Sequence, residues 1–379
     1  MAVPPRVCFV FTSPLLPALL LDEKATAGGA EVQLRAIGRQ LGFAGWDVSF
    51  VVSDCGQDDV VVNRDGFTIY KSYRPEARIR APGVDLFATK MPQLAAAMRR
   101  ANADVYINRA AGWATGHGCR VAHVLRRKFA FWMASRNDLM LGPERWPMPL
   151  HIRLMYEHGL RHADLIIAQT EEQRELLQQV RRLRSVIMPN LCASPAGPFT
   201  KSEHPTVLWV GNIRPLKRPG MLLEVARQLP QHRFVAVGTP LPALEADYDE
   251  FAKGAAQLPN VHVMGAVSST EMPAHYASAW VLLSTSEVEG FSNVFLEAWA
   301  NATPVVAMLD PDEVICRYRL GYHCSTVEEL VQRVGEICED ASMRDELGAN
   351  AREYVREHHD PGAVGARLDR ELRRLIGLA

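Results

Sequence analysis

Two carboxylates, Glu289 and Glu297, stand eight residues apart in the run S-E-V-E-G-F-S-N-V-F-L-E-A that covers Ser286 to Ala298. Even on one continuous helix, that spacing would separate them by about 12 Å along the axis and about 80° around it. They therefore cannot be a closely coupled acid–base dyad, and two parts of one extended ligand are their natural targets. An apolar strand, Val281–Ser284, ends just before the run. Gly290 permits a tight turn, Ser292 suits a helix N-cap, and a helix is expected to begin near Ser292 or Asn293. The backbone amides near Phe291, Ser292 and Asn293 would then offer a phosphate the positive end of a helix. Glu297 lies in the apolar stretch Leu296–Trp299, where a carboxylate requires a hydrogen-bond partner. The alternative reading is that both are ordinary helix-end and surface acids.

Two further strand-to-helix turns carry anion chemistry. After the strand Val207–Val210, Gly211 opens a loop holding Arg214 and Lys217. Two cations there can neutralise a diphosphate, arginine by forked hydrogen bonds and lysine as a point charge. Near the N-terminus, Ala27-Gly28-Gly29-Ala30-Glu31 precedes a helix. The paired glycines Gly28 and Gly29 let a ligand approach the backbone closely, although a plain loop-to-helix entry reads the same way.

The elements that must position these residues alternate short apolar runs with amphipathic helices. Expected strands are Val7–Phe11, Val48–Val52, Val105–Asn108, Phe129–Met133, Leu165–Ala168 and Val186–Met188 in the first half. A helix over Gly29–Phe43 places Ala30, Leu34, Ile37 and Leu41 on one face. A linker rich in Pro, Gly, Ser and Thr follows at Asn190–Pro205, and the pattern then restarts. The second half gives strands at Val207–Val210, Phe234–Val237, Val261–Met264, Val281–Ser284 and Val305–Ala307, with Leu222, Val225, Ala226 and Leu229 on a helix face. The fold class expected is α/β: two Rossmann-like, doubly wound parallel-sheet domains with a cleft between them. The domains are expected at 1–195 and 205–360, and a helix over 361–379 is expected to pack back on the first.

Composition admits an enzyme of this size and excludes several other classes. The 379 residues are 48% apolar and 22% charged, with a net charge of −1, so nothing global points to nucleic acid. The charge is uneven: residues 1–195 hold 25 Lys/Arg against 18 Asp/Glu, the remainder 17 against 25. A basic first half suggests an anionic partner, with clusters Arg126-Arg127-Lys128 and Arg181-Arg182-Leu183-Arg184 as candidates for lipid headgroups or a lipid-diphosphate acceptor. Solvated helix faces are the plainer account of both clusters. Seven scattered cysteines without a CxxC pair fit reduced thiols in a cytosol. Val7–Leu21 has the apolarity of a signal peptide, but Pro14 and Pro17 interrupt it and no small-residue cleavage site follows; a strand leading into an apolar loop is expected instead. No stretch reaches the length needed to span a bilayer. His117, Cys119 and His123 are too loosely spaced for a metal site, and Asp310-Pro311-Asp312 reads as a loop.

With these residues in view, the run E-G-F-S-N-V-F-L-E-A-W-A-N-A-T-P-V-V from Glu289 resembles the glutamate-x7-glutamate motif of family 4 glycosyltransferases of the GT-B fold. Gly28-Gly29-Ala30-Glu31-Val32-Gln33 is similar to the family's first Gly-rich loop. Ala163–Thr170 is similar to its late N-domain strand, Met188-Pro189-Asn190 to its exit into the linker, and Val261–Gly265, with Met264, to the strand beside the nucleotide base. The resemblance spans nearly the whole chain. It implies a retaining transferase that moves a sugar from a nucleoside-diphosphate sugar to a hydroxyl of a glycan, glycolipid or small-molecule acceptor, with no essential metal or other cofactor. On that basis Glu297 binds the ribose hydroxyls, Glu289 the donor sugar, and Arg214, Lys217 and the amides after Gly290 the diphosphate. The setting implied is cytoplasmic polysaccharide or glycolipid assembly, with the basic first domain touching an anionic membrane. Two departures stand out. The family's phosphate arginine commonly follows the strand's glycine directly, where this chain has Asn212 and places Arg214 two residues later. The family's histidine after the Phe129–Met133 strand is also missing. Ser135 or Asp138 would occupy its space, Asp138 acting on an acceptor hydroxyl or simply closing an Asx-turn. A nucleotide-sugar epimerase of the same fold and a non-catalytic nucleotide-sugar-binding protein are the alternatives.

Overall fold

The computed structural model describes residues 3–22, 25, 28–75, 85–139, 148–197, 199–240 and 245–378. Ala27 of the first Gly-rich run, Pro198 of the linker and residues 76–84 of the loop before Met91 lie outside them. The chain divides into two units, Met1–Leu191 with Pro361–Ala379, and Cys192–Asp360.

In the first unit, strands β1 (Arg6–Val10), β2 (Asp47–Val52), β3 (Val60–Val62), β4 (Thr68–Lys71), β5 (Val105–Arg109), β6 (Lys128–Trp132), β7 (Leu165–Ala168) and β8 (Val186–Ile187) form one sheet. Their order is β3-β4-β2-β1-β5-β6-β7-β8, parallel throughout except for the antiparallel pair β3–β4. Helices α1 (Leu15–Leu21), α2 (Gly29–Phe43), α3 (Met91–Ala101), α4 (Trp113–Val124), α5 (Leu150–His162) and α6 (Glu171–Arg181) accompany it. The strands are continuous apolar runs because both faces are covered: Phe9, Phe50 and Ile107 point into one core, Val10, Tyr106 and Phe131 into the other.

Three short strands carried no sequence signal. β3 has alternating half-exposed valines and holds its place by pairing with β4, and β4 itself is only four residues long. The stretch read as an apolar loop is in part a helix, α1, which buries Leu16, Leu19 and Leu20. Pro17 does not prevent it, because it is the third residue, where a helix has no internal acceptor for the missing N–H.

The second unit holds β9 (Thr206–Val210), β10 (Arg233–Val237), β11 (Val261–Gly265), β12 (Val281–Ser284), β13 (Val305–Ala307) and β14 (Gly321–His323), all parallel, in the order β11-β10-β9-β12-β13-β14. Its helices are α7 (Pro219–Gln228), α8 (Glu245–Ala255), α9 (Met272–Ser278), α10 (Asn293–Ala300), α11 (Val314–Tyr318), α12 (Val327–Glu339) and α13 (Ala341–His358). β14 is the third strand the sequence pattern did not show. Asp310-Pro311-Asp312 is more than a loop: Pro311–Glu313 forms a 3-10 turn, and the Asp310 carboxylate accepts from the amides of Ile315 (2.7 Å) and Cys316 (3.0 Å).

The last helix, α14 (Pro361–Leu375), belongs to the first unit. Its Val364, Leu368 and Leu372 share a core with Leu34, Ile37 and Leu41 of α2. Asp369 accepts from the Trp46 indole at 2.6 Å and from Arg373 at 2.7 Å, and Arg373 also donates to the Ala44 carbonyl. None of the seven cysteines is in a disulfide. Among the described residues no helix is long and apolar enough to cross a membrane.

In the second unit the strand order reverses between β10–β9 and β9–β12, so the loops leaving β9 and β12 flank a switch point where α/β sheets take ligands. Those loops are set by a backbone contact. Gly211 donates to Val237 O (3.0 Å), Ile213 to Thr239 O (3.0 Å) and Gly238 to Gly265 O (2.9 Å), locking the exits of β9, β10 and β11 together. A Cβ on Gly238 would fall 1.8 Å from the Gly211 carbonyl oxygen, so only glycine fits. Gly238→Ala should destabilise the protein by about 3 kcal/mol, the upper range for overpacking. A urea midpoint equal to that of the parent would show that the backbone contact is dispensable.

Candidate active site

The β9 exit is built around Lys217. Pro215–Lys217 is a single 3-10 turn, and the lysine stem crosses Gly211, where an added Cβ would sit 3.3 Å from both Cδ and Cε. The turn, with Arg218 after it and Trp209 of β9 before it, is tied to the loop after β12 by hydrogen bonds. Thr285 Oγ1 donates to Lys217 O (2.6 Å) and accepts from the Trp209 indole (3.0 Å). Arg218 Nε donates to Thr285 O (2.9 Å), and the Glu287 amide to Leu216 O (2.9 Å). Arg218 adopts a left-handed φ of 47° to make this reach while starting α7. With both loops fixed, Lys217 Nζ and the Glu289 carboxylate form an ion pair, their side chains only 12% and 18% exposed.

Other residues of the two loops occupy distinct places. Arg214 precedes the 3-10 turn in extended backbone, and its buried Nε has no hydrogen-bond partner among the described residues. Gly290 continues from Glu289 toward α10. Phe291 is buried, its ring 6.3 Å from Trp299 and 5.0 Å from His359, which anchors the turn. Ser292 occupies the N-cap position, but its side chain makes no capping hydrogen bond; the helix proper starts at Asn293. Ser292 serves through its backbone, since its own carbonyl accepts from the Leu296 amide (3.4 Å).

Glu297 lies in the second turn of α10 and is not joined to Glu289 or Lys217 by any hydrogen bond or ion pair among the described residues. Its neighbour is Tyr276 of α9, whose buried hydroxyl interacts with the carboxylate without reaching full hydrogen-bond geometry. Burial raises the Glu297 pKa above the ordinary value, and Tyr276 works against that rise. Asn301 fixes the backbone beneath it, donating to Glu297 O at 2.8 Å. Met264, 45% exposed, stands on the edge strand β11.

In the first unit Gly28 is the N-cap of α2, followed by Gly29 in its first turn. A Cβ on Gly28 would meet the Glu31 carboxylate at 2.6 Å, so this glycine makes room for a neighbouring side chain. Glu31, buried, accepts from the Ser13 hydroxyl. Asp138 is also buried. Its Oδ2 accepts from the amides of Ala134 (2.6 Å) and Ser135 (3.3 Å), its Oδ1 from Ala111 (3.4 Å), and Ser135 Oγ accepts from Asn137. Both oxygens of Asp138 thus accept from backbone amides, that of Ser135 within a capping box. Burial pushes its pKa up despite those donors.

The sequence reading missed Arg109, which ends β5 and passes for a strand residue. It is 5% exposed, faces Glu31 and Asp138, lies 5.6 Å from the Trp132 ring, and has Nε and Nη1 without partners among the described residues. Burial pushes its pKa down to about 10. His117, Cys119 and His123 do not converge on a metal geometry: His117 Nε2 bonds Met91 O (2.8 Å) and His123 Nε2 bonds Asp164 (2.9 Å).

The family described as "Glycosyl transferases group 1" matches residues 195–354, and that described as "Glycosyl transferase 4-like domain" matches 28–190. D-inositol 3-phosphate glycosyltransferase from Kineococcus radiotolerans is 28% identical over 337 residues, 79% of this chain and 76% of that one. Among solved structures, sucrose-phosphate synthase from Thermosynechococcus elongatus is similar with a TM-score of 0.78 at 19% identity, covering 99% of this chain and 100% of that one. Anabaena Alr3699/HepE, solved with UDP and glucose, has a TM-score of 0.73 at 17% identity, with 97% and 98% covered. The chain belongs to the family 4 glycosyltransferases, has the GT-B type of fold and is a glycosyltransferase.

The raised pKa of Glu297 has a consequence for stability. An acid that holds its proton more tightly when folded costs stability once the pH exceeds its unfolded value; the cost grows up to the folded value and then levels off. Glu297→Gln should therefore raise the urea midpoint at about pH 8 and leave it unchanged at about pH 3. An equal shift at both pH values would mean that charge burial is not the cause.

Proposed function

We propose that this glycosyltransferase binds its nucleoside-diphosphate sugar in the second unit and transfers the sugar with retention of anomeric configuration, using protein cations where other enzymes use a metal. The Lys217–Glu289 pair at the switch point carries this reading. Without donor, each charge satisfies the other in a partly desolvated place. A diphosphate is a stronger partner for Lys217 than one carboxylate, and its arrival frees Glu289 to accept from hydroxyls of the donor sugar.

Breaking the anomeric C–O bond leaves the electron pair on the diphosphate. Lys217, the Arg214 Nε, unpartnered among the described residues, and the α10 N-terminus after Gly290 are fixed charges and dipoles suited to that growing negative charge. As the bond lengthens the departing phosphate oxygen becomes more basic, and it is the group available for the acceptor hydroxyl's proton. That assignment needs no side-chain base, in keeping with the engagement of Asp138 by backbone. Glu297 takes the ribose hydroxyls, its carboxylate being a half-buried acceptor beside Tyr276. Met264 lies beside the base, and the first unit, with Gly28 and Gly29, takes the acceptor.

The acceptor we infer is a glycan, a glycolipid or a small hydroxylated molecule, the setting being cytoplasmic polysaccharide or glycolipid assembly. The relative that acts on D-inositol 3-phosphate supports a hydroxylated acceptor. Support for membrane contact is weaker. Arg127 pairs with Asp104, Lys128 with Asp164 and Arg181 with Glu157, leaving Arg126, Arg182 and Arg184 as the exposed members of the two basic clusters.

Lys217→Ala should lower kcat by about 10²–10³, the usual loss for one electrostatic donor to a developing anion. Parental turnover at saturating donor would remove Lys217 from the site. Glu297→Ala should weaken binding of the free nucleotide in titration calorimetry; an unchanged affinity would reject the ribose role. Chelation should leave turnover intact, and loss of activity restored by a divalent ion would overturn the metal-free reading.

A further inference from the structure

Beyond the donor site, the first unit contains a surface cavity of 310 Å³ lined in part by Asp54, Asp59, Lys71, Arg74, Gln93 and Arg100. Its position is that of a ligand site. Asp54 lies just past the end of β2, Lys71 ends β4, and the two strands are parallel, so the cavity opens at their carboxyl ends. Gln93 and Arg100 come from α3 at a spacing of seven residues, which puts them on one helix face.

The charges are unevenly committed. Lys71 pairs with Asp59 at 2.9 Å, and Arg74 lies 3.7 Å from Asp54. Arg100 donates through Nη2 to Lys71 O at 2.7 Å, which holds its guanidinium in place, and it pairs with no carboxylate among the described residues. A tethered cation outside any ion pair among the described residues, set near carboxylates and an amide, selects for more than charge. The carboxylates repel a polyanion, yet accept hydrogen bonds from hydroxyls, and the volume is at the small end of ligand cavities, suited to one sugar.

We infer that this cavity is a subsite for an anionic sugar, its acid group on Arg100 and Arg74 and its hydroxyls on Asp54 and Gln93. The inference rests on the reading that the first unit takes the acceptor, and it narrows that acceptor to an acidic saccharide. The acid is a phosphate ester or a uronic carboxylate, chemistries that share the same recognition.

The test is titration calorimetry on the full chain with glucose 6-phosphate, glucuronate, glucose and inorganic phosphate. At least one acidic sugar should bind at least tenfold more tightly than glucose, and which of the two does so identifies the acid. Arg100→Gln should erase that preference, and Gln93→Leu, which removes the amide at nearly the same volume and the same charge, should weaken acidic and neutral sugars alike. Equal affinities for all sugars, no saturable binding, or a preference surviving Arg100→Gln would overturn the inference. Inorganic phosphate binding as tightly as glucose 6-phosphate would also overturn it, by showing an anion hole that does not read sugar. Nucleotide affinity, measured in the same proteins, should not change, so failure of the donor reading remains separately visible.

Discussion

A partly desolvated ion pair organises the second unit. Lys217 and Glu289 come from loops separated by 72 residues, and neither loop alone could hold its charge at the strand ends. Bringing them together requires the Gly211–Gly238 backbone contact below, the Thr285 hydroxyl shared between Trp209 and Lys217 O, and Arg218 spanning to the other loop. These are mostly bonds to main-chain atoms, which fix loop paths more firmly than contacts between mobile side-chain tips. Because the pair is satisfied before any ligand arrives, the site is preorganised without leaving two bare charges in a poorly solvated place.

Charges withdrawn from water recur in both units, and each has a different settlement. Glu297 is held against Tyr276 with an elevated pKa, a standing cost that fits a carboxylate kept for hydroxyl recognition. Asp138 accepts from three backbone amides at the loop after β6, which oppose but do not cancel the rise that burial causes. Arg109 faces two carboxylates yet keeps two nitrogens unpartnered among the described residues. Residue type alone would have given the two acids similar roles; the number of hydrogen bonds each already makes separates them.

Much of the architecture was legible because parallel strands covered on both faces are unbroken apolar runs, as in Val207–Trp209 and Leu282–Leu283. The strands β4 and β14 were not, since T-I-Y-K and G-Y-H are not unbroken apolar runs, and β3, largely exposed, is placed by its pairing with β4. Helix α1 was missed because Pro17 reads as a breaker unless its place in the first turn is known. Arg109 was missed for a related reason: an arginine closing a strand looks exposed until the loops that bury it are seen.

The sequence by itself determined the chemistry on offer: two acids eight residues apart, cations after a glycine turn, and glycines ahead of a helix. Local periodicity and turn chemistry suffice for that, because they act over a few residues. Tertiary structure alone decided which of those groups meet. The Lys217–Glu289 pair, the placing of Glu297 beside Tyr276 and the tie between Arg100 and the Lys71 carbonyl depend on distances between segments well separated in the chain. Such distances follow from sheet order and loop packing, and spacing along the sequence does not encode them.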